Sequence, residues 1–228
     1  MADDIVHSPE FVTLVGAGQA GKAELRLALK LAPRAVAADG GAKMLLNCGK
    51  RPEKIIGDLD STDRATLEKI PVSDRLHVAE QESTDFEKCL ARIRAPLIIG
   101  VGFLGRRLDH QLAVFNALVR HRGAPCVLLG ARDVVVHGRV PLALDLAPGM
   151  RLSLFPMARL RGESQGLQWP IAGIDFAPDG RIGTSNRVVS APVRLGFDGP
   201  GMLIILPRKA LGAVVRALAG ESGRAAAG

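Results

Sequence analysis

The feature that most constrains this chain is a change of period near residue 130. Before it, apolar runs of four or five residues alternate with stretches whose apolar residues recur at helical spacing. Strand-like runs at Phe11–Val15, Ala35–Ala38, Ile55–Ile56, Leu76–Val78, Leu97–Val101 and Cys126–Leu129 are separated by helix-like stretches at Lys22–Leu31, Ala42–Cys48, Asp63–Ile70, Thr84–Ile93 and Leu108–Arg120. Strand alternating with helix implies an α/β unit with a mostly parallel sheet, helices on both sides making three layers. After the change, short runs follow one another between Gly and Pro: Val134–His137, Leu142–Leu144, Arg151–Phe155, Gly166–Trp169, Arg187–Val189, Val193–Leu195 and Met202–Leu206. That density of short strands predicts an all-β sandwich. The expected domains are 1–132 and 133–228, the second closing with a helix over Lys209–Ala219 and a frayed Ala/Gly-rich tail, Gly220–Gly228. A chain of 228 residues suffices for two small domains.

Composition excludes several classes. Hydrophobic residues are 47% and charged residues 23%, too apolar for a disordered chain. Three dispersed cysteines, Cys48, Cys89 and Cys126, form no CxxC pair, which argues against a disulfide scaffold or a zinc ribbon. No apolar run reaches the roughly 18–20 residues of a membrane span, and the acidic start MADDIVHSPEF lacks a signal-peptide pattern, so a cytoplasmic protein without a membrane partner is expected. The net charge of +7 raises nucleic acid as a partner. The 22 arginines are scattered, however, and with no tyrosine and seven phenylalanines a stacking platform is poorly supplied. A phosphate-bearing small ligand is the better expectation.

Six motifs carry the chemistry. Gly16-Ala-Gly18-Gln-Ala-Gly21 follows a strand and precedes a helix, where glycines let the backbone approach phosphate and the helix start supplies N–H donors. Asp39-Gly40-Gly41-Ala42 ends the next strand, and Asp39 is placed for a ribose, a metal or a helix cap. Together these two also fit an NAD(P)-dependent oxidoreductase, which stands as the alternative enzyme class. Gly57-Asp58-Leu59-Asp60-Ser61 puts carboxylates at i and i+2, on one side of an extended chain. Two like charges there call for a cation, and hard oxygens suit Mg²⁺ shared with phosphates. Gln81-Glu82-Ser83-Thr84-Asp85-Phe86-Glu87-Lys88 reads as a capped helix start, Thr84 with Glu87 forming a capping box, and Asp85 as either a first-turn acid or a third metal carboxylate. Gly102–His110 adds Arg107, a planar fork for phosphate, with Asp109 and His110 beside it. In the second half, Gly166-Leu-Gln-Trp169 holds the single tryptophan, and Gly183-Thr-Ser185-Asn186 supplies short hydrogen-bonding groups.

The order ADGGA, IIGDLDS, QESTDFEK, GRRLDH, GLQW and GTSN, at these spacings from Val12 to Leu206, resembles the thiamine pyrophosphokinase (thiamine diphosphokinase) family. The resemblance implies an N-terminal α/β domain, a C-terminal β-sandwich and a homodimer with thiamine bound near the subunit interface. It implies Mg²⁺-dependent transfer of the diphosphoryl group of ATP to the hydroxyl of thiamine, giving thiamine diphosphate and AMP. Asp58, Asp60 and Asp85 fall on the metal positions, and with Arg107 on the catalytic ones. Gly16, Gly18, Asp39, Gly40 and Gly41 fall on the nucleotide side. Gln81, Asp109, Trp169, Ser185 and Asn186 fall on the thiamine side. The chain departs from the family pattern at Lys43, where Asn is common after DGGA, and at Glu82, where the acidic loop often has Asp.

Overall fold

The computed structural model describes residues 6–105, 107–139 and 141–225, with side chains to residue 220. Arg106 of the GRRLDH motif and the last residues of the expected frayed tail lie outside the described residues. The chain divides into two compact units, Met1–Ala117 with His121–Ala131, and Leu118–Arg120 with Arg132–Gly228.

The first unit contains β1 (Val6–His7), β2 (Val12–Val15), α1 (Lys22–Leu31), β3 (Arg34–Ala38), α2 (Gly41–Asn47), β4 (Lys54–Gly57), α3 (Arg64–Leu67), β5 (Arg75–His77), α4 (Asp85–Arg92), β6 (Ile93–Arg94), β7 (Ile98–Val101), most of α5 (Leu108–Arg120) and β8 (Cys126–Leu129). Six of the strands run parallel in the order β8-β7-β2-β3-β4-β5, and β1 pairs separately with β6. β2, β7 and β8 are buried at every residue, as strands covered on both faces must be, which is why they read as unbroken apolar runs. Leu25 of α1 and Ala42 and Leu45 of α2 pack with Val15, Ala35, Ala37, Ile55 and Ile70 in one cluster. A buried leucine there contributes about 1.5–3 kcal/mol. From β2 the chain builds one way through β3, β4 and β5, then returns to the other side of β2 for β7 and β8. The sheet therefore has a switch point between β2 and β7, and ligands of open parallel sheets bind outside the carboxyl ends at such a point.

The second unit contains β9 (Asp133–His137), β10 (Leu142–Leu144), β11 (Arg151–Pro156), β12 (Gly162–Gln165), β13 (Gly183–Arg187), β14 (Val193–Phe197), β15 (Met202–Pro207) and α6 (Leu211–Ala225). Its strands pair antiparallel in the orders β13-β11-β15-β9 and β10-β14-β12. Leu142, Leu144, Leu152, Leu154, Leu195, Ile204 and Leu206 are buried along them. α6 packs against β10.

Several local expectations are corrected. Gly166–Trp169 is not a strand. Gly166 sits at φ +82, where a methyl group would lie 2.5 Å from the Ser190 carbonyl, and the strand ends before it. The strand that does form, β12, reads Gly-Glu-Ser-Gln, with no apolar side chain to announce it. α3 spans Arg64–Leu67, short of the expected Asp63–Ile70, and Asp63 caps it by accepting from the Thr66 N–H. α6 continues past Ala219 to Ala225, into the stretch expected to fray. Among the described residues no helix is long and apolar enough to cross a membrane.

Candidate active site

The strands β2, β3, β4 and β7 all deliver their carboxyl ends to one edge of the first unit. There the sequence places Gly16, Asp39, Asp58 and Gly102, each just beyond its strand. The turns after β2 and β7 lock together through backbone. Gly16 N–H donates to the Val101 carbonyl at 2.8 Å, and Gly18 N–H to the Gly102 carbonyl at 2.9 Å. A methyl group on Gly18 would lie 2.3 Å from that same oxygen, so only glycine allows the approach. Gly21 N–H donates to Glu24 Oε2 at 2.7 Å, closing the N-terminus of α1. The amides of Gly16, Gly18 and Gly21 are thus spent within the fold. The expected phosphate cradle is not made by these three amides.

Asp39 leaves β3 in a left-handed conformation, φ 38, a strain of roughly 1–3 kcal/mol that neighbouring contacts must hold. Gly41 follows, where a methyl group would lie 1.9 Å from the Val15 carbonyl, so α2 begins pressed on β2. The Asp39 carboxylate is 1% exposed. Its Oδ1 accepts from Thr62 Oγ1 at 2.5 Å and its Oδ2 from Ser61 N–H at 3.0 Å. Burial pushes its carboxyl up, against these two donors, with Asp60 and Asp58 adding to the rise. Of the three roles open to Asp39, capping falls away, since α2 has no side-chain cap.

The loop after β4 does not run extended. Leu59 takes a left-handed conformation, φ 65, and Asp60 N–H turns back to Asp58 Oδ1 at 3.4 Å. The two carboxylates meet through this turn, not through strand alternation. One oxygen from each of Asp39, Asp58 and Asp60 lies within 4.8 Å of the others. Gly57 makes room beneath them: a methyl group there would lie 2.9 Å from Asp39 Cβ and 3.1 Å from Asp85 Oδ1. The Gln81 amide donates to Asp58 Oδ2 at 3.0 Å and, with help from Asp60 N–H and Lys88, holds the Asp58 carboxyl below its ordinary range.

Asp85 comes from the first turn of α4. Thr84 caps that helix through the Glu87 N–H, and Glu87 returns a carboxylate to the Thr84 N–H, the reciprocal box read from the sequence. Burial pushes the Asp85 carboxyl up, opposed by Lys88. Lys88, one turn on, is 2% exposed, with Nζ 3.5 Å from Asp85 Oδ1 and 3.4 Å from Asp58 Oδ2. Burial pulls its ammonium down, and Asp85 and Asp58 more than offset this. The sequence reading gave Lys88 no role. Its one signal was its spacing, three residues after Asp85 on the same helical face.

Arg107 and Asp109 begin α5 as a two-pronged ion pair at 2.6 and 3.2 Å, both exposed. Their pairing lowers the Asp109 carboxyl. Most of these groups border a cleft of about 770 Å³, within the usual size of a small-molecule site. Its lining includes Gly16, Gly18, Gly40, Asp58, Asp60, Gln81, Asp85, Lys88, Arg107 and Asp109, but neither Asp39 nor Gly41. Lys43, at the position where the resembled family commonly has Asn, reaches Asp63 at 2.9 Å.

Trp169, Ser185 and Asn186 belong to the second unit. Asn186 is buried and clasps the Trp169 backbone at both ends: its Oδ1 accepts from Trp169 N–H at 3.2 Å and its Nδ2 donates to the Trp169 carbonyl at 2.7 Å. Trp169 itself remains 53% exposed. Ser185 takes a left-handed conformation, φ 61, held by its N–H on Ser153 Oγ at 3.0 Å. Ser153, buried on β11, was not singled out in the sequence.

Residues 25–128 match the family model described as thiamin pyrophosphokinase, catalytic domain. Thiamine pyrophosphokinase 1 of Arabidopsis thaliana is 27% identical over 169 residues, covering 65% of this chain and 62% of that protein. Thiamine pyrophosphokinase 2 of Oryza sativa subsp. japonica is 28% identical over 169 residues, covering 64% and 62%. The chain thus spans about 62% of the length of these curated relatives. Among solved structures, thiamin pyrophosphokinase from Candida albicans has a TM-score of 0.73 at 14% identity, covering 87% of this chain and 89% of its own. The enzyme from Geobacillus thermodenitrificans has a TM-score of 0.70 at 20% identity, covering 86% and 96%. The mixed α/β fold is shared with these structures. The dinucleotide oxidoreductase alternative finds no support: these relatives are of another class, and the amides it needs at Gly16 and Gly18 are engaged elsewhere.

Proposed function

We propose that this chain, whose residues 25–128 match the family model of the thiamin pyrophosphokinase catalytic domain, transfers the diphosphoryl group of ATP to the hydroxyl of thiamine. The observation that carries the reading is the convergence of Asp39, Asp58 and Asp60 within 4.8 Å at the carboxyl ends of β3 and β4, beside a cleft of ligand size. The donor set is all carboxylate oxygen, which fits Mg²⁺ and not a soft metal. Asp58, Asp60 and Asp85 would hold it, since each borders the cleft. Asp39 is enclosed and already accepts from Ser61 and Thr62, so it orients the 58–62 loop from behind. Bound there, Mg²⁺ would neutralise phosphate charge as it shifts during transfer.

The chain's own groups account for the rest. The thiamine hydroxyl oxygen bonds to the β-phosphorus of ATP as the bridge to the α-phosphate breaks, AMP leaves, and the hydroxyl proton passes to a carboxylate of the cluster. Positioning and charge dominate such a transfer. Arg107 trades Asp109 for phosphate, where its fork neutralises charge. Asp109 and Gln81 then face the pyrimidine of thiamine. Trp169, held by Asn186 with its ring exposed, suits a cationic heterocycle, and Ser185 and Asn186 border the same place. Gly40 and Gly41 keep the turn beside the nucleotide close. The same reading carries a cytoplasmic homodimer with thiamine near the interface of the two copies. It also carries the finer layering, helices on both faces of the parallel sheet and the antiparallel sheets face to face.

Phosphorus NMR of the protein with ATP, Mg²⁺ and thiamine tests this. AMP and thiamine diphosphate should appear together and require all three. ADP in place of AMP would overturn diphosphoryl transfer.

A further inference from the structure

Among the described residues that line the cleft, Lys88 is the charged side chain with no use in the transfer just described. Its ammonium is enclosed, 2% exposed, and touches two of the carboxylates assigned to the cation, Asp58 Oδ2 at 3.4 Å and Asp85 Oδ1 at 3.5 Å. Asp58 Oδ2 also takes the Gln81 amide, so this oxygen is occupied from two sides. Two carboxylates within 3.5 Å of Nζ make Lys88 a paired ammonium. The ammonium therefore competes for the same oxygens that a divalent cation needs, and it repels that cation across a few ångströms of poorly screened space. It rises from α4, where Phe86, Cys89 and Leu90 beside it are buried too.

We propose that Lys88 is a built-in competitor of the divalent cation: it keeps the acidic cleft weak for the metal alone, so that the cation is held firmly only together with nucleotide phosphates. This rests on the metal reading given above. The physical logic is a charge balance. Asp58, Asp60 and Asp85 without Lys88 would form a strong resident cation site. Lys88 cancels one of their charges and takes up an oxygen of Asp58 and one of Asp85, and the phosphates of the nucleotide supply the missing oxygens and charge. Occupancy by metal and by nucleotide then become coupled.

The test reads cation binding directly. Mn²⁺, in place of Mg²⁺, is titrated into the full chain at pH 8 and free Mn²⁺ is followed by electron paramagnetic resonance. The native chain alone should bind Mn²⁺ weakly, and at least about tenfold more tightly with a non-hydrolysable ATP analogue than either the chain or the analogue alone binds it. Lys88→Gln, which keeps a donor for the carboxylates but removes the charge, should bind Mn²⁺ about tenfold or more tightly without nucleotide. Lys88→Met should do the same, and Lys88→Arg should behave as native. Unchanged or weaker binding in both neutral variants would overturn the proposal and make Lys88 a scaffold for Asp58 and Asp85. So would native protein that binds Mn²⁺ equally tightly with and without the analogue, a comparison that stands even if circular dichroism shows the variants unfolded. The expected Mn²⁺ pattern without thiamine diphosphate in the phosphorus spectrum would support the role of Lys88 while removing the assigned reaction. Absence of Mn²⁺ binding with and without the analogue would overturn both the metal reading and the competitor.

Discussion

Two turns leave parallel strands at the same edge of the sheet and end in opposite conditions. The turn after β2, Gly16–Gly21, is closed: three glycine amides donate to Val101, Gly102 and Glu24, and its close contacts leave no room for a methyl group. The turn after β4, Gly57–Ser61, is open: it forces a leucine into a left-handed conformation and turns two carboxylates toward the cleft. The first uses glycine to pack backbone on backbone at the switch point of the sheet. The second stores strain to aim charge. A glycine-rich string thus marks close approach of backbone, and what approaches can be the protein itself.

The contrast can be broken most decisively at the open turn. Asp60→Asn should leave the circular dichroism spectrum and melting temperature near native while reducing turnover a hundredfold or more, the scale of several kcal/mol of lost charge stabilisation. A fully active Asp60→Asn protein would remove this loop from the chemistry. At the closed turn the opposite signature is expected. Gly18→Ala should cost about 1–3 kcal/mol or more of stability by forcing the Gly102 carbonyl away, read as a lowered urea midpoint, with Mn²⁺ affinity changed little in whatever fraction folds. Between the two lies Asp39. Thr62→Val removes a donor from its buried carboxylate, a loss of about 1–3 kcal/mol, and should loosen the 58–62 loop enough to raise the Mg²⁺ concentration needed for half-maximal rate.

The smallest effect concerns the foot of the open turn. Lys43 and the Thr66 N–H hold the Asp63 carboxyl down to about 2, from an ordinary 3.8. A depressed carboxylate contributes stability that is complete above its ordinary value and fades as pH falls through the folded one. Lys43→Gln should therefore be slightly less stable than the native chain at neutral pH in urea, a difference that fades as the pH falls from about 4 to about 2. Equal urea midpoints at neutral pH would show that this exposed pair contributes nothing measurable.

What could be read from the sequence follows the physics of each element. α1 and α5 run Lys22–Leu31 and Leu108–Arg120, the bounds their apolar spacing gives, because helical period survives one buried face. β8 and β10 likewise coincide with their apolar runs. β12 escaped because it is polar and presents Glu163 and Gln165 to solvent. The acidic residues of the cleft could be named from motif order, but the turn that gathers Asp58 and Asp60 could not, since a left-handed leucine has no signature in composition. Lys88 was hidden for a different reason. A lysine on a helix reads as solvated, and only the fold reveals that its head points inward to two acids.

The clasp of Asn186 on Trp169 has a consequence for observation. The chain has one tryptophan and no tyrosine, so its near-ultraviolet emission comes almost wholly from a single indole. That indole is half exposed, yet its main chain is pinned at both ends by one buried amide. Its fluorescence is a native optical label for β13 and its surroundings. A quenching titration with thiamine reads that region, without a dye, a tag or an added chromophore.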